Sequence, residues 1–239
     1  STGSYSANLI GTIRSHLEGL QGFDVMALEL IQNADDAGSD GKGKKASEIT
    51  FDVTDDGLVV RNDGEFTFCR KLQTHPCPHE DREGYACDFH RITEVASGGK
   101  LSKSTNIGRF GIGFVSTYQI ADHPQIYSAG IKLTLMPERQ EWHAEPTEKS
   151  FGTTFFLPWA SDPEREARVR LGASAVTSEH IEQLVEDFER VLRKALLFLR
   201  PLKRAELRRN GKLVIACELD RDRNDESELL VSLSSGETE

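Results

Sequence analysis

At 239 residues the chain has room for one large domain or two small ones around an ample core. Its 37% hydrophobic and 28% charged content is ordinary for a soluble globular protein, and a formal net charge of −10 argues against a general nucleic-acid binder. No run approaches the ~20 apolar residues of a membrane span, no secretory leader is visible, and four cysteines are too few for a disulfide scaffold, so a reduced, cytoplasmic setting is expected.

The chain opens Ser1-Thr2-Gly3-Ser4 without an initiator Met, which reads as a domain cut from a longer protein with further domains of its own. Tyr5, Leu9, Ile10, Ile13, Leu17 and Leu20 recur at helical spacing and predict a helix over 5–20. A second helix is expected over about 23–37, closed by Gly38. On it Glu29, Asn33 and Asp36 stand at i, i+4 and i+7, one polar line on a 3.6-residue turn. Phe23, Ala27, Leu30, Ile31 and Ala34 take the opposite arc and can pack on a sheet.

Residues 39–45 read as an exposed loop, followed by strands over 47–53 and 57–61 with Asp55-Asp56-Gly57 as the turn. A polar Cys- and His-rich segment runs to about His90, then a short helix and a Gly/Ser/Lys loop to 106. Gly108-Arg109-Phe110-Gly111-Ile112-Gly113-Phe114 leads into helical Val115 to Ala121. Strands are expected over 125–129, 132–137, 141–144 and 152–157. The polar stretch 161–177 reads as a boundary between a first unit (1–160) and a C-terminal extension (161–239) packed on it. In that extension a helix runs from Ser178 to about Leu199 and Pro201 ends it. A hairpin over 205–219 turns at Asn210-Gly211, a weak strand covers 229–233, and residues 234–239 are expected to fray. The basic cluster from Arg200 to Arg209 is read as solvated helix-end and strand residues.

A Gly-x-x-Gly-x-Gly run opening a helix leaves N–H groups at a positive dipole end, which suits a polyphosphate. It is neither a Walker A loop, since no Gly-Lys-Ser/Thr follows, nor a Rossmann turn, since it follows a polar, lid-like segment instead of a first strand.

Four motifs carry a family resemblance: Glu29-Leu30-Ile31-Gln32-Asn33-Ala34-Asp35-Asp36-Ala37, Val60-Arg61-Asn62-Asp63-Gly64, Ile107 to Phe114, and Gly152-Thr153. In this order they resemble the GHKL, or Bergerat-fold, ATPases, within them the heat-shock-ninety type, and closest of all the sacsin-like ATPase modules. The resemblance covers about residues 8–157. It implies an α+β two-layer sandwich, with a mixed, mainly antiparallel sheet covered on one face by helices. It also implies an ATP-binding domain over 1–160 with a lid near 69–113.

By that resemblance Asn33 coordinates Mg²⁺ at the nucleotide phosphates, Glu29 is the general base, and Asp36 lies on the adenine and ribose side. The polar line of the second helix should then face a nucleotide. The family's Asp-x-Gly is altered here: Asn62 takes the Asp position and Asp63 follows it, so either could accept from the adenine amine. Gly64 belongs to the same motif. Gly108, Arg109, Phe110, Gly111, Ile112, Gly113 and Phe114 form the phosphate loop and the start of its helix. Lys100 or Lys103 is a candidate phosphate contact, and Thr153 matches the strand threonine that helps hold adenine through water.

Cys69, His75, Cys77, His79, Cys87 and His90 fall within 22 residues, a ligand set that suits tetrahedral Zn²⁺. Cys69, Cys77, Cys87 and His90 are the zinc candidates, weighed against a solvated insertion that binds no metal.

The implied function is Mg²⁺-dependent ATP or ADP binding with slow ATP hydrolysis. Lid closure would drive conformational change in a larger chaperone-like or regulatory protein, with a nucleotide-dependent dimer as a candidate assembly. The alternative is a switch that senses ATP or ADP and scarcely hydrolyses it. A histidine kinase fits less well, because no phospho-acceptor helix precedes the fold.

Overall fold

A computed structural model of the protein describes residues 9–36, 45–96, 112–148, 151–195, 202–221 and 229–236. Helices α1 (Leu9–Glu18) and α2 (Asp24–Asp36) precede a hairpin of β1 (Glu48–Val53) and β2 (Gly57–Asn62). Helices α3 (Glu80–Glu83), α4 (Asp88–Ala96) and α5 (Ile112–Val115) follow, the last continuing into a 3₁₀ turn, Ser116–Gln119. Strands β3 (Gln125–Ser128), β4 (Ile131–Met136), β5 (Glu141–Pro146) and β6 (Thr153–Pro158) come next. Helices α6 (Glu166–Leu171) and α7 (Ser178–Ala195) lead to β7 (Arg204–Arg209), β8 (Lys212–Arg221) and β9 (Leu229–Ser235).

The strands form one nine-stranded sheet, ordered β5-β4-β3-β6-β2-β1-β7-β8-β9. Every neighbouring pair is antiparallel except β1 and β7, which run parallel. Burial alternates along β1, β4 and β6, as it must when side chains point to opposite faces and one face is covered. The protein is thus an α+β two-layer sandwich with a mainly antiparallel sheet.

Helix α2 lays Met26, Ala27, Leu30, Ile31 and Ala34 into the core. Helix α7 lies beside it, with Phe188 edge-on to Phe51 of β1 at 5.1 Å between ring centres. The start of α2 is fixed from α7: Asp187 accepts the Phe23 N–H at 2.8 Å, an N-terminal cap supplied from another helix. Arg190 bridges Asp187 and Asp24 at 2.6 and 2.7 Å. Because β7 pairs with β1 and α7 packs on α2, residues 178–195 and 202–221 complete the same sheet and core as the N-terminal half.

Several features depart from the sequence reading, among them α3 within the Cys/His segment and the start of α5 at Ile112. Helix α4 begins at Asp88, three residues before the expected 91, and so brings His90 into its first turn. The stretch 161–177 contains a helix, α6, with Ala167, Arg168 and Leu171 buried. Ser234 and Ser235, expected to fray, pair with Ala216 and Ile215. The Asn210-Gly211 turn behaves as expected, with φ of 48° and 77°, the doubly left-handed geometry of a tight hairpin. Arg204, Arg208 and Arg209 of the basic cluster are paired with Glu206, Glu218 and Glu182. No helix among the described residues is long and apolar enough to cross a membrane.

Candidate functional site

Strand register brings two of the candidate residues together. In the β2–β6 pair Asn62 stands directly opposite Thr153, as Val60 stands opposite Phe155 and Leu58 opposite Leu157. Directly opposed residues share a face, so Asn62 and Thr153 lie on the core side that carries the helices. Both are buried, at 6% and 1% exposure.

The Asn62 side-chain oxygen accepts the Gly64 N–H at 3.0 Å, closing a tight turn at the strand end. An amide oxygen has two lone pairs, so this bond leaves Asn62 with acceptor capacity. Thr153 donates its hydroxyl to the Gly64 carbonyl at 2.8 Å and lies 2.9 Å from the Ser128 hydroxyl. Since the Thr153 proton is committed to Gly64, Ser128 is the donor to Thr153. Ser128 also accepts the Phe66 N–H at 3.0 Å. No spacing pattern points to Ser128; its part comes only from the β3–β6 pairing.

Asp63 turns elsewhere. Its carboxylate accepts from the Ser47 N–H at 2.6 Å, the Ser47 hydroxyl at 2.8 Å and the Glu48 N–H at 3.1 Å. These bonds hold the entry of β1 against the exit of β2, a structural task for which Ser47, like Ser128, offers no sequence signal. Gly152, just before Thr153, has φ of 70°, and a Cβ there would lie 2.1 Å from the Asn62 carbonyl oxygen. Only glycine allows the two strand ends to approach so closely.

Glu29, Asn33 and Asp36 all lie on α2, Asp36 as its last residue. Asn33 is 4% exposed although it is polar, and Glu29, one turn earlier, is half-buried. Asp35, beside them, accepts the Leu202 N–H at 3.2 Å and ties the end of α2 to the approach of β7. Ile112 and Gly113 open α5, which packs against α2, and Phe114 is buried against Phe155 at 6.1 Å. Lys100, Lys103, Gly108, Arg109, Phe110 and Gly111 lie outside the described residues. A cavity of about 360 Å³ lies elsewhere, between the end of α1, Phe23, Gln119, Val176 and His180; none of the candidate residues lines it.

The Cys/His segment is gathered, not splayed. The ligand atoms of Cys69, Cys77, Cys87 and His90 all lie within 4.8 Å of one another. Cys77, Cys87 and His90 are fully buried, while His75 is exposed and His79 half-buried, its ring against Tyr85. Burial pushes the Cys87 thiol up to about 12 and raises that of Cys69 as well. Cys77 and Cys87 belong to the core and Cys69 packs against it, while residues 73–76 of the same segment are exposed, so the solvated reading holds for that loop and not for the buried ligand candidates.

A family model of the sacsin domain matches residues 6–147, more than half of the chain. Human sacsin is 35% identical over 106 residues, which cover 42% of this chain and 2% of sacsin's own length. The chain therefore spans only a small part of that relative.

Proposed function

The chain belongs to the sacsin domain family, and on that footing we propose that it is an adenine-nucleotide-binding module of the GHKL, heat-shock-ninety type, which hydrolyses ATP slowly. The observation that carries the reading is the juxtaposition of Asn62 and Thr153 across β2 and β6, on the same face of the sheet as the helix bearing Glu29 and Asn33. Phe114, at the end of the glycine-loop motif, supports the reading from the same core, packed against Phe155 of β6.

In this reading Asn62 accepts from the adenine amino group, and the Ser128–Thr153 hydroxyl pair supports the ring edge through water. Asp63 is assigned to holding β1, on the strength of its bonds to Ser47 and Glu48. A buried carboxamide such as Asn33 offers the hard oxygen donor that Mg²⁺ prefers, so the residues fit the ion that the family uses. Bound Mg²⁺ supplies charge neutralisation at the phosphates. Glu29 orients the attacking water and takes its proton, a task for which a half-buried carboxylate one helical turn from Asn33 is suitably placed. Nucleotide-dependent closure of a lid would couple nucleotide state to a larger chaperone-like or regulatory protein.

Comparison of wild type with Glu29→Ala tests the reading. The expected result is equal ATP binding, with hydrolysis above background in wild type alone. Equal binding with no turnover in either would make the module a nucleotide-sensing switch.

A further inference from the structure

We propose that Cys69, Cys77, Cys87 and His90 form a closed structural zinc site that staples residues 69–90 onto the sheet. It is independent of nucleotide binding and stands on the geometry of four side chains.

Three chain segments deliver the ligands. Cys69 follows the β2 exit, Cys77 precedes a short turn whose Glu80 N–H bonds the Cys77 carbonyl at 2.8 Å, and Cys87 and His90 flank the first turn of α4. At i and i+3, Cys87 and His90 project on one side of that helix. His90 Nδ1 lies 3.3 Å from Cys69 Sγ and 3.2 Å from Cys87 Sγ. A tetrahedral ion with bonds of about 2.0–2.3 Å puts its ligand atoms roughly 3.5–3.8 Å apart. The four atoms already fall close to that spacing, and the widest pair needs an adjustment of about an ångström.

The histidine is held in the tautomer that a metal requires. Its Nε2 lies 2.9 Å from the Thr74 carbonyl oxygen, which can only accept, so Nε2 carries the proton. Nδ1, the nitrogen left for a metal, faces the sulfurs of Cys69 and Cys87. A carbonyl that fixes the far nitrogen is a recurring support for zinc-bound histidine.

Two backbone amides point at sulfur: Lys71 N–H to Cys69 and Cys87 N–H to Cys77, each at 3.4 Å. Such bonds stabilise thiolates. Without an ion, two thiols crowd one imidazole nitrogen in a largely buried site; a cation among them satisfies all four groups at once. Binding releases the thiol protons to solvent as the sulfurs become ligands. All four positions come from the protein, which makes the site structural and leaves no vacant position for substrate. The ligands are soft sulfur and imidazole, which selects zinc over the hard cation of the nucleotide reading. Phe66, Phe68 and Phe89 wall the segment, and Phe66 carries it onto Phe155 of β6. The fourth cysteine of the chain, Cys217, is buried in β8 and serves as an internal control.

Elemental analysis of the full chain, purified under reducing conditions and refilled with zinc, provides the test. One zinc per chain is expected in wild type and in Cys217→Ser, falling to background in His90→Ala and in Cys77→Ser. Should those variants fail to fold, cobalt exchanged into wild type gives a second readout: the intense visible bands of a tetrahedral ion with thiolate charge transfer in the near-ultraviolet. Absence of stoichiometric zinc after refilling, a disulfide among the three cysteines, or cobalt spectra without thiolate ligation would overturn the proposal.

Discussion

Asn62 and Thr153 face each other across β2 and β6, and both converge on Gly64: Asn62 accepts its N–H and Thr153 donates to its carbonyl. One peptide segment thus fixes two side chains that lie 91 residues apart. Asp63, between Asn62 and Gly64, points to β1 instead. The two neighbouring polar residues have separate tasks, and their variants should separate too.

Asn62→Ala is expected to weaken ATP binding by about fivefold or more, since loss of one buried partner costs about 1–3 kcal/mol. Asp63→Ala should instead lower unfolding stability by a similar amount and leave the affinity of the folded protein nearly unchanged. Calorimetric titration beside urea unfolding of each variant reads both effects. Loss of binding in Asp63→Ala alone would reverse the assignment.

Gly152→Ala places a methyl against the Asn62 carbonyl at a positive φ. A left-handed non-glycine residue costs roughly 1–2 kcal/mol before any clash. The clash is with backbone, which cannot swing aside. We expect a clear loss of stability together with weaker nucleotide binding, because the displaced strand end carries Asn62. Thermal unfolding unchanged from wild type would contradict the close approach.

Arg168 of α6 is fully buried, with Nε and Nη2 both on Asp122 Oδ1 at 2.8 and 2.7 Å. Its Nη1 also reaches the carbonyls of Gln119 and Ser174. Burial lowers the guanidinium pKa, and Asp122 opposes that shift. Asp122→Ala would strand the cation and should cost about 3–5 kcal/mol, whereas replacing both partners by apolar residues should cost much less. Denaturant unfolding of the single and double variants measures the difference.

That pair shows where the sequence was legible and where it was not. The strands 47–53 and 57–61, the helices over 24–36 and 178–195 and the Asn210-Gly211 turn could be read because each element's own periodicity or turn chemistry defines it; the expected helix end at 196–199 and Pro201 lie outside the described residues. Helix α6 could not be read: six residues containing Glu166, Arg168 and Arg170 are too short and too charged to show a periodic apolar face, and one of its buried members is an arginine. The start of α4 was missed because Cys87 to His90 read as ligands or loop. Asn62, Thr153 and the zinc candidates could be named from motif and composition. The register that opposes Asn62 to Thr153, the exclusion of His75 and His79 from the cluster, and the parts of Ser47 and Ser128 depend on pairings that no local pattern encodes.

Glu206 gives a pH dependence. Burial pushes its carboxyl up, but Arg204 and Arg208, at 2.6 and 2.7 Å, outweigh that and hold it below the ordinary value. A pKa lower in the folded state adds stability above the unfolded value of about 4.3, and that gain disappears as pH falls through the folded value. Stability measured from pH 7 down to pH 3 should therefore fall on the acid side, and Glu206→Gln should flatten part of that fall. An identical acid limb in the variant would show that Glu206 contributes nothing to it.

Nucleotide binding itself is the most direct measure of the account. Calorimetric titration of the zinc-loaded full chain with ATP, ADP and GTP, with and without Mg²⁺, should show selective binding of the adenine nucleotides. Mg²⁺ should strengthen ATP binding, and Asn33→Ala should remove that gain. Failure of the folded protein to bind any adenine nucleotide would contradict the assignment.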